Sequence, residues 1–405
     1  ELAQRHGIDA FAYHARVGTE EQACEAAVDA ALARVGATTT RHWDLTLLDL
    51  AELPFAVAET PDVFTSFRKR VEKVGGWTDA LPEPHAVPPP PGELGAGELP
   101  TLEELGLEPA PTDARAVLAF AGGERAGLSR LHEWIWEQDR LRRYKETRNG
   151  MVGADYSSKL SPWLAHGCLS PRRVEGEIER YEAERTRNDS TYWLTFELLW
   201  RDYFQLVLLK HGRAVFRAAG LQGVPVPWRG RGDPDGERAF AAWRDGRTGF
   251  PIVDANLREL SASGFLSNRG RQIVASFLTK NLGVDWRLGA EWFEAQLIDH
   301  DVASNYGNWN YVAGVGNDAR GFRYFHLPTQ AEKYDRKGRH AKLWCPELAR
   351  FDAGFVHAPW RLSRDRQQEA GCVLGRDYPE PIVDLEQSVE HNRRLWEAAM
   401  ARAAG

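Results

Sequence analysis

Between residues 81 and 113 prolines, glycines and acids dominate, and the stretch includes the run Pro88-Pro89-Pro90-Pro91-Gly92. Proline locks φ and donates no N–H, so such a segment can neither continue a helix nor join a β-ladder. It reads as an extended connection, and it divides the chain into residues 1–75, a linker over 76–120, and residues 121–395. In the first part, residues 8–13 read as a strand, 20–35 as an alanine-rich helix ending at Gly36, 38–43 as a second strand and 64–73 as another helix. That is the tail of an α/β unit. Beyond residue 121 the pattern is helical almost to the end. Trp193, Phe196, Trp200, Tyr203 and Val207 recur at helical spacing over residues 193–210. The expected fold is an α/β remnant followed by a large all-α domain.

At 405 residues and 43% hydrophobic content the chain can bury a sizeable core. No run of about eighteen apolar residues occurs, so a membrane span is not expected. Cys24, Cys168, Cys345 and Cys372 are scattered without CxxC spacing, which argues against structural zinc or a disulfide framework. Net charge is −7, so any nucleic-acid contact must use a local basic surface. The chain opens at Glu1 in mid-helical pattern and reads as a fragment lacking its N-terminal part. A cytoplasmic monomer is expected.

Two regions carry chemistry. Tyr156-Ser157-Ser158-Lys159-Leu160-Ser161-Pro162 is a polar loop entering a helix, where hydroxyls, free N–H groups and the helix dipole favour an anion. Ser161-Pro162 and Ser170-Pro171 each place a capping hydroxyl before a proline suited to a first helical turn. Arg201 can add a guanidinium at the same phosphates, although Glu197 four residues earlier is at ordinary ion-pair spacing. The second region, residues 299–311, combines Asp299, Asp301, Asn305 and Trp309. Such a set can hydrogen-bond a ring of alternating donors and acceptors and put an indole beside it. The Asp-x-Asp pair alone also fits a metal, but no third oxygen-rich cluster accompanies it.

The segments Tyr156 to Gly167, Glu197-Leu198-Leu199-Trp200-Arg201-Asp202-Tyr203, Ile252-Val253-Asp254-Ala255-Asn256 and Phe265-Leu266-Ser267-Asn268-Arg269-Gly270-Arg271 resemble blocks of the cryptochrome and photolyase family, in its order. They cover roughly residues 115 to 345. Tyr144-Lys145-Glu146-Thr147-Arg148-Asn149-Gly150-Met151, Asn305-Tyr306-Gly307-Asn308-Trp309 and Gly314-Val315-Gly316-Asn317-Asp318 are most similar to its DASH cryptochromes. Residues 1–120 fit the back half of that family's α/β antenna domain.

The resemblance implies FAD between the helices. Ser157, Ser158, Lys159, Leu160 and Ser161 would lie near its phosphates with Tyr144 and Arg201. Asn268, Asp299, Asp301 and Asn305 would face the isoalloxazine and ribityl chain, with Arg271 paired to Asp299. Asn305 matches the position facing flavin N5, a neutral amide in photolyases and DASH proteins and an acid in plant cryptochromes. Trp309, Trp286 and Trp228 resemble the family's electron-carrying tryptophan chain. A methenyltetrahydrofolate antenna is implied as well.

The implied activity is blue-light repair of cyclobutane pyrimidine dimers in DNA. Glu197 would bond the base edge and Trp200 stack on it, with Arg269, Gln272 and Tyr311 completing the substrate surface. Arg320, Arg323 and the basic residues from Lys333 to Lys342 are candidates for backbone contact. Gln272 and Tyr311 replace a methionine and a tryptophan of the duplex-repairing enzymes. A more polar pocket offsets less of the cost of extruding a dimer from a duplex, so preference for single strands is expected. Three rivals remain: a blue-light receptor with little repair, a (6-4) photolyase, for which the segment 266–269 lacks a histidine, and a helical nucleic-acid-binding protein without flavin.

Overall fold

The computed structural model describes residues 1–89, 97–109, 111–317 and 321–404. Strands Ala10–His14 and Thr38–His42 run parallel, in register from Ala10↔Thr38 to His14↔His42, and are joined through the helix Thr19–Ala33. Phe64–Val71 forms the next α-helix and ends in a tight turn, Glu72–Val74. Among the described residues no helix or strand occurs between Val74 and Glu124. Pro90, Pro91 and Gly92 lie outside the described residues.

Leu45, Leu47, Leu48, Phe55, Phe64, Phe67 and Val71 share one core with Leu194, Leu198, Tyr203 and Leu206 of the helix Asp189–His211. The first part is thus seated on the helical part by apolar burial. Polar groups reinforce the seat. The Arg172 guanidinium donates to the Thr46 and Trp43 carbonyls at 3.0 and 3.3 Å, and the Leu47 N–H donates to Asp202 at 2.8 Å.

The helix Asp189–His211 is the central rod. Asn188 caps it, accepting from the Ser190 and Thr191 N–H groups, while Thr191 Oγ accepts from the Asn188 N–H. Of the next helices, Val302–Ala313 packs directly on this rod; Trp286–Gln296 and Asn268–Ser276 pack on Val302–Ala313, and Pro251–Ser263 packs on Asn268–Ser276. Two glycines allow the closest approaches. A Cβ at Gly307 would stand 2.2 Å from Phe204, and one at Gly289 would stand 2.2 Å from Trp309. One expected cap is not made. Ser170 caps Pro171–Glu184, but Ser161 begins the short helix Ser161–Ala165 as its first residue, and its hydroxyl goes to Asp299 instead. The hydroxyl donates to a buried carboxylate, a charge-assisted bond, instead of serving as the acceptor of a cap. Among the described residues no helix is long and apolar enough to cross a membrane.

Candidate active site: two adjoining chambers

Loop 157–161 and the helices around it enclose an inner cavity of about 310 Å³. Ser157, Ser158, Lys159, Leu160 and Ser161 line it, together with Tyr144 and Arg201. Lys159 takes a left-handed backbone conformation, φ 57°, which is unfavourable for a side chain with a Cβ. Its ammonium nitrogen lies 3.2 Å from the centre of the Tyr156 ring and 3.5 Å from Ser157 Oγ. Burial, helped by Arg130, pushes the Lys159 amine down to about 7. Tyr144 is buried against Trp134, ring to ring at 5.6 Å. Arg201 does not pair with Glu197. Its guanidinium donates to the carbonyls of Leu45 and Leu164, tying the cavity wall to the N-terminal part.

The residues of the 299–311 segment line the same cavity. Asp299, with 1% of its side chain exposed, accepts from Arg271 Nη2 at 2.9 and 2.7 Å and from Ser161 Oγ at 2.6 Å. Asp301 caps the helix Val302–Ala313 through the Ser304 N–H at 2.7 Å. It also accepts from Gln205 Nε2 at 3.0 and 2.9 Å. Asn305 is buried and its Nδ2 donates to the Ala290 carbonyl at 3.0 Å, which turns its amide oxygen the other way.

A second cavity of about 340 Å³ adjoins the first. Arg148, Glu197, Arg201, Asn268, Gln272, Ser304, Asn308 and Val312 border both. Trp200, Tyr311, Arg323 and Phe325 belong to the outer one. Glu197 forms an ion pair with Arg148 and accepts from Trp193 Nε1 at 3.1 Å. Burial pushes the Glu197 carboxyl up while Arg148 pulls it back. Trp200 stacks on Phe64 at 3.7 Å and 9°, so one face is already covered, and Tyr311 meets it edge-on at 5.7 Å. Arg269 lies on neither wall. It sits over the Tyr334 ring at 4.5 Å and donates to Asn149 Oδ1 at 3.0 Å. Of the basic residues after Tyr324, Arg336 pairs with Glu332, and Lys333, Lys337 and Arg339 are exposed. Arg320 lies outside the described residues.

The three tryptophans are linked through shared neighbours. Trp309 borders the inner cavity and packs edge-on against Phe293 at 5.1 Å. Gly289, one turn after Trp286 begins its helix, is where the Trp309 ring touches that helix. Trp286 is fully buried, and Trp228 is partly buried. Both donate their indole N–H to the Ala218 carbonyl, at 3.2 and 3.1 Å. The loop of Trp228 is pinned there by the Arg229–Gly283 and Asp285–Arg229 backbone bonds.

Four site residues carried no sequence assignment. Arg148 neutralises Glu197, Gln205 orients Asp301, Asn308 borders both chambers, and Phe64 backs Trp200. Arg148 lies within a quoted DASH-like segment. Asn308 lies within another, and Gln205 had no motif to mark it.

Helices around a chamber lined by hydroxyls and by a charge-paired carboxylate describe a cofactor-holding domain. The model of the FAD binding domain of DNA photolyase matches residues 193–398, and that of DNA photolyase matches residues 1–90. A cryptochrome DASH of Gloeobacter violaceus is 54% identical over 97% of this chain and 77% of its own length. The crystal structure of a Synechocystis cryptochrome superposes with a TM-score of 0.93 at 49% identity, covering 97% of this chain and 80% of that one. A class III photolyase from Agrobacterium tumefaciens gives a TM-score of 0.80 at 31% identity over 100% and 81% of the two chains. The chain belongs to the cryptochrome and photolyase family, in its DASH branch. Its helical domain is an FAD-binding domain, and the donor set of the inner chamber fits that cofactor. Among the described residues no cluster of His, Cys, Asp and Glu suits a metal.

Proposed function

We propose that the chain is a blue-light-dependent lyase that splits cyclobutane pyrimidine dimers, preferentially in single-stranded DNA. The observation that carries this reading is the pair of chambers with a common wall, one suited to a flavin and one to an extruded pyrimidine dimer. When bound, reduced FAD supplies the light-driven electron that opens the cyclobutane ring and takes it back afterwards. The protein's part is positioning. Ser157, Ser158 and Ser161 would hold the phosphates, with Tyr144, Lys159, Leu160 and Arg201 completing that end. Asp299, kept in place by Arg271, would accept from the ring edge. Asp301 and Asn268 would face the ribityl side, and Asn305 would offer N5 a carbonyl oxygen rather than a proton.

In the outer chamber Trp200, backed by Phe64, would stack on a flipped base, and the Glu197–Arg148 pair would present both an acceptor and a donor to its edge. Gln272 and Tyr311 make the wall polar, which supports the single-strand preference. Arg323, exposed and lining the outer chamber, would contact the DNA backbone, while Arg269 would act on DNA only indirectly. Trp309, Trp286 and Trp228 would relay electrons inward to restore the reduced cofactor. A methenyltetrahydrofolate antenna, a monomeric state and a cytoplasmic location belong to the same reading and rest on the family resemblance.

Blue light on the reduced protein with matched dimer-containing single- and double-stranded oligonucleotides tests it. Faster dimer loss from single strands is expected. Equal rates contradict the strand preference, and no loss from either favours a receptor.

A further inference from the structure

We propose that Tyr306 is a terminal electron donor of the indole relay, giving its electron to oxidised Trp286 and its phenolic proton to Glu294. This step rests on the relay described above and extends it. Tyr306 precedes Trp309 by one helical turn, and its ring stands 6.3 Å from that of Trp286 at 79°. Phe216 closes another side at 4.8 Å. Its hydroxyl donates to Glu294 Oε2 at 2.8 Å, and Glu294, on the Trp286–Gln296 helix, is 46% exposed.

Oxidation makes a phenol strongly acidic, so it proceeds readily only where a base waits at hydrogen-bond distance. Glu294 is that base. The Trp286 indole has no such outlet in its own hydrogen bond, because its N–H points at the Ala218 carbonyl, a very weak base. An oxidised Trp286 therefore keeps its proton and its positive charge until a neighbour reduces it. The balance closes with photoexcited oxidised flavin as the one-electron acceptor and Trp309 and Trp286 as carriers. One electron passes from Tyr306 to Trp286, the phenolic O–H bond breaks, and an O–H bond forms on Glu294. A restored indole and a neutral phenoxyl remain. Facing the phenol are Glu294 and Glu291 of the neighbouring helix and Glu20 of Thr19–Ala33, and His300 lies 3.8 Å from Glu294 Oε1. Burial and these carboxylates hold the resting phenol protonated.

The test is a blue pulse on the oxidised, FAD-loaded protein, followed by transient absorption and electron paramagnetic resonance. In the parent protein an indole radical should give way to a phenoxyl radical. Tyr306→Phe keeps the ring and its packing. It should abolish the phenoxyl signal and lengthen the indole signal at least tenfold. Glu294→Gln should slow the exchange by about 10²-fold, the scale of a lost general base. A phenoxyl signal undiminished in Tyr306→Phe, or an indole signal of unchanged lifetime, overturns the assignment and leaves the relay standing. No indole radical in the parent protein overturns the relay, and this step with it.

Discussion

Asp299 is the residue on which the inner chamber leans most, since it joins Arg271 of the helix Asn268–Ser276 to Ser161 at the start of the helix Ser161–Ala165. Asp299→Asn would leave the Arg271 guanidinium facing an amide. The expected loss is about 2 kcal/mol, below the range for a fully buried pair because Arg271 is 27% exposed. A lowered denaturant midpoint with unchanged slope is the readout. A second residue-scale effect comes from Glu175, which is buried with Thr195 as a donor at 3.0 Å to one oxygen. Burial pushes its carboxyl up to about 8, and likewise Asp202 up to about 7. The folded state then binds more protons than the unfolded one above the ordinary carboxylate value of about 4.3. The contribution of these two groups to stability is therefore greatest at or below that value, falls as pH rises, and levels off above about 8. Glu175→Gln should flatten this slope and raise stability at alkaline pH. Unfolding free energies of the parent protein and Glu175→Gln from pH 4 to 9, whose difference should change by on the order of a few kcal/mol across that range, check the sign.

At the scale of elements, Gly289 sets how closely the Trp286 helix approaches Trp309. Gly289→Ala should cost about 1–3 kcal/mol through overpacking and displace the indole, read as altered tryptophan fluorescence and melting temperature. Elements governed by local pattern were legible in the sequence. Both parallel strands, the helix after them and the long helix around Trp200 follow from periodicity and caps. Long-range competition was not legible. Ser161 has the local signature of a cap, yet Asp299, distant in sequence, takes its hydroxyl. Glu197 and Arg201 have ion-pair spacing, yet Arg148 takes the first and backbone carbonyls the second. The Arg271–Asp299 pair was readable only because a family resemblance supplied the partner, which no spacing rule gives.

For the whole molecule, the N-terminal part reaches the outer chamber through Phe64 and the inner one through Leu45. Phe64→Ala should cost about 3 kcal/mol as a buried large-to-small change. It should also free Trp200 to rotate, weakening dimer binding while FAD content stays constant. A comparison of Kd for a dimer-containing oligonucleotide with the flavin-to-protein ratio separates these effects.

The claim that organises all of this is that cofactor and substrate occupy separate chambers with a common wall. Parallel measurement of FAD stoichiometry and blue-light dimer loss in Asp299→Asn and Trp200→Ala tests it most directly. The predicted result is a split: Asp299→Asn loses FAD, whereas Trp200→Ala stays fully loaded and loses repair at least tenfold. Loss of FAD by Trp200→Ala to the same degree, or full repair by it, would contradict the claim.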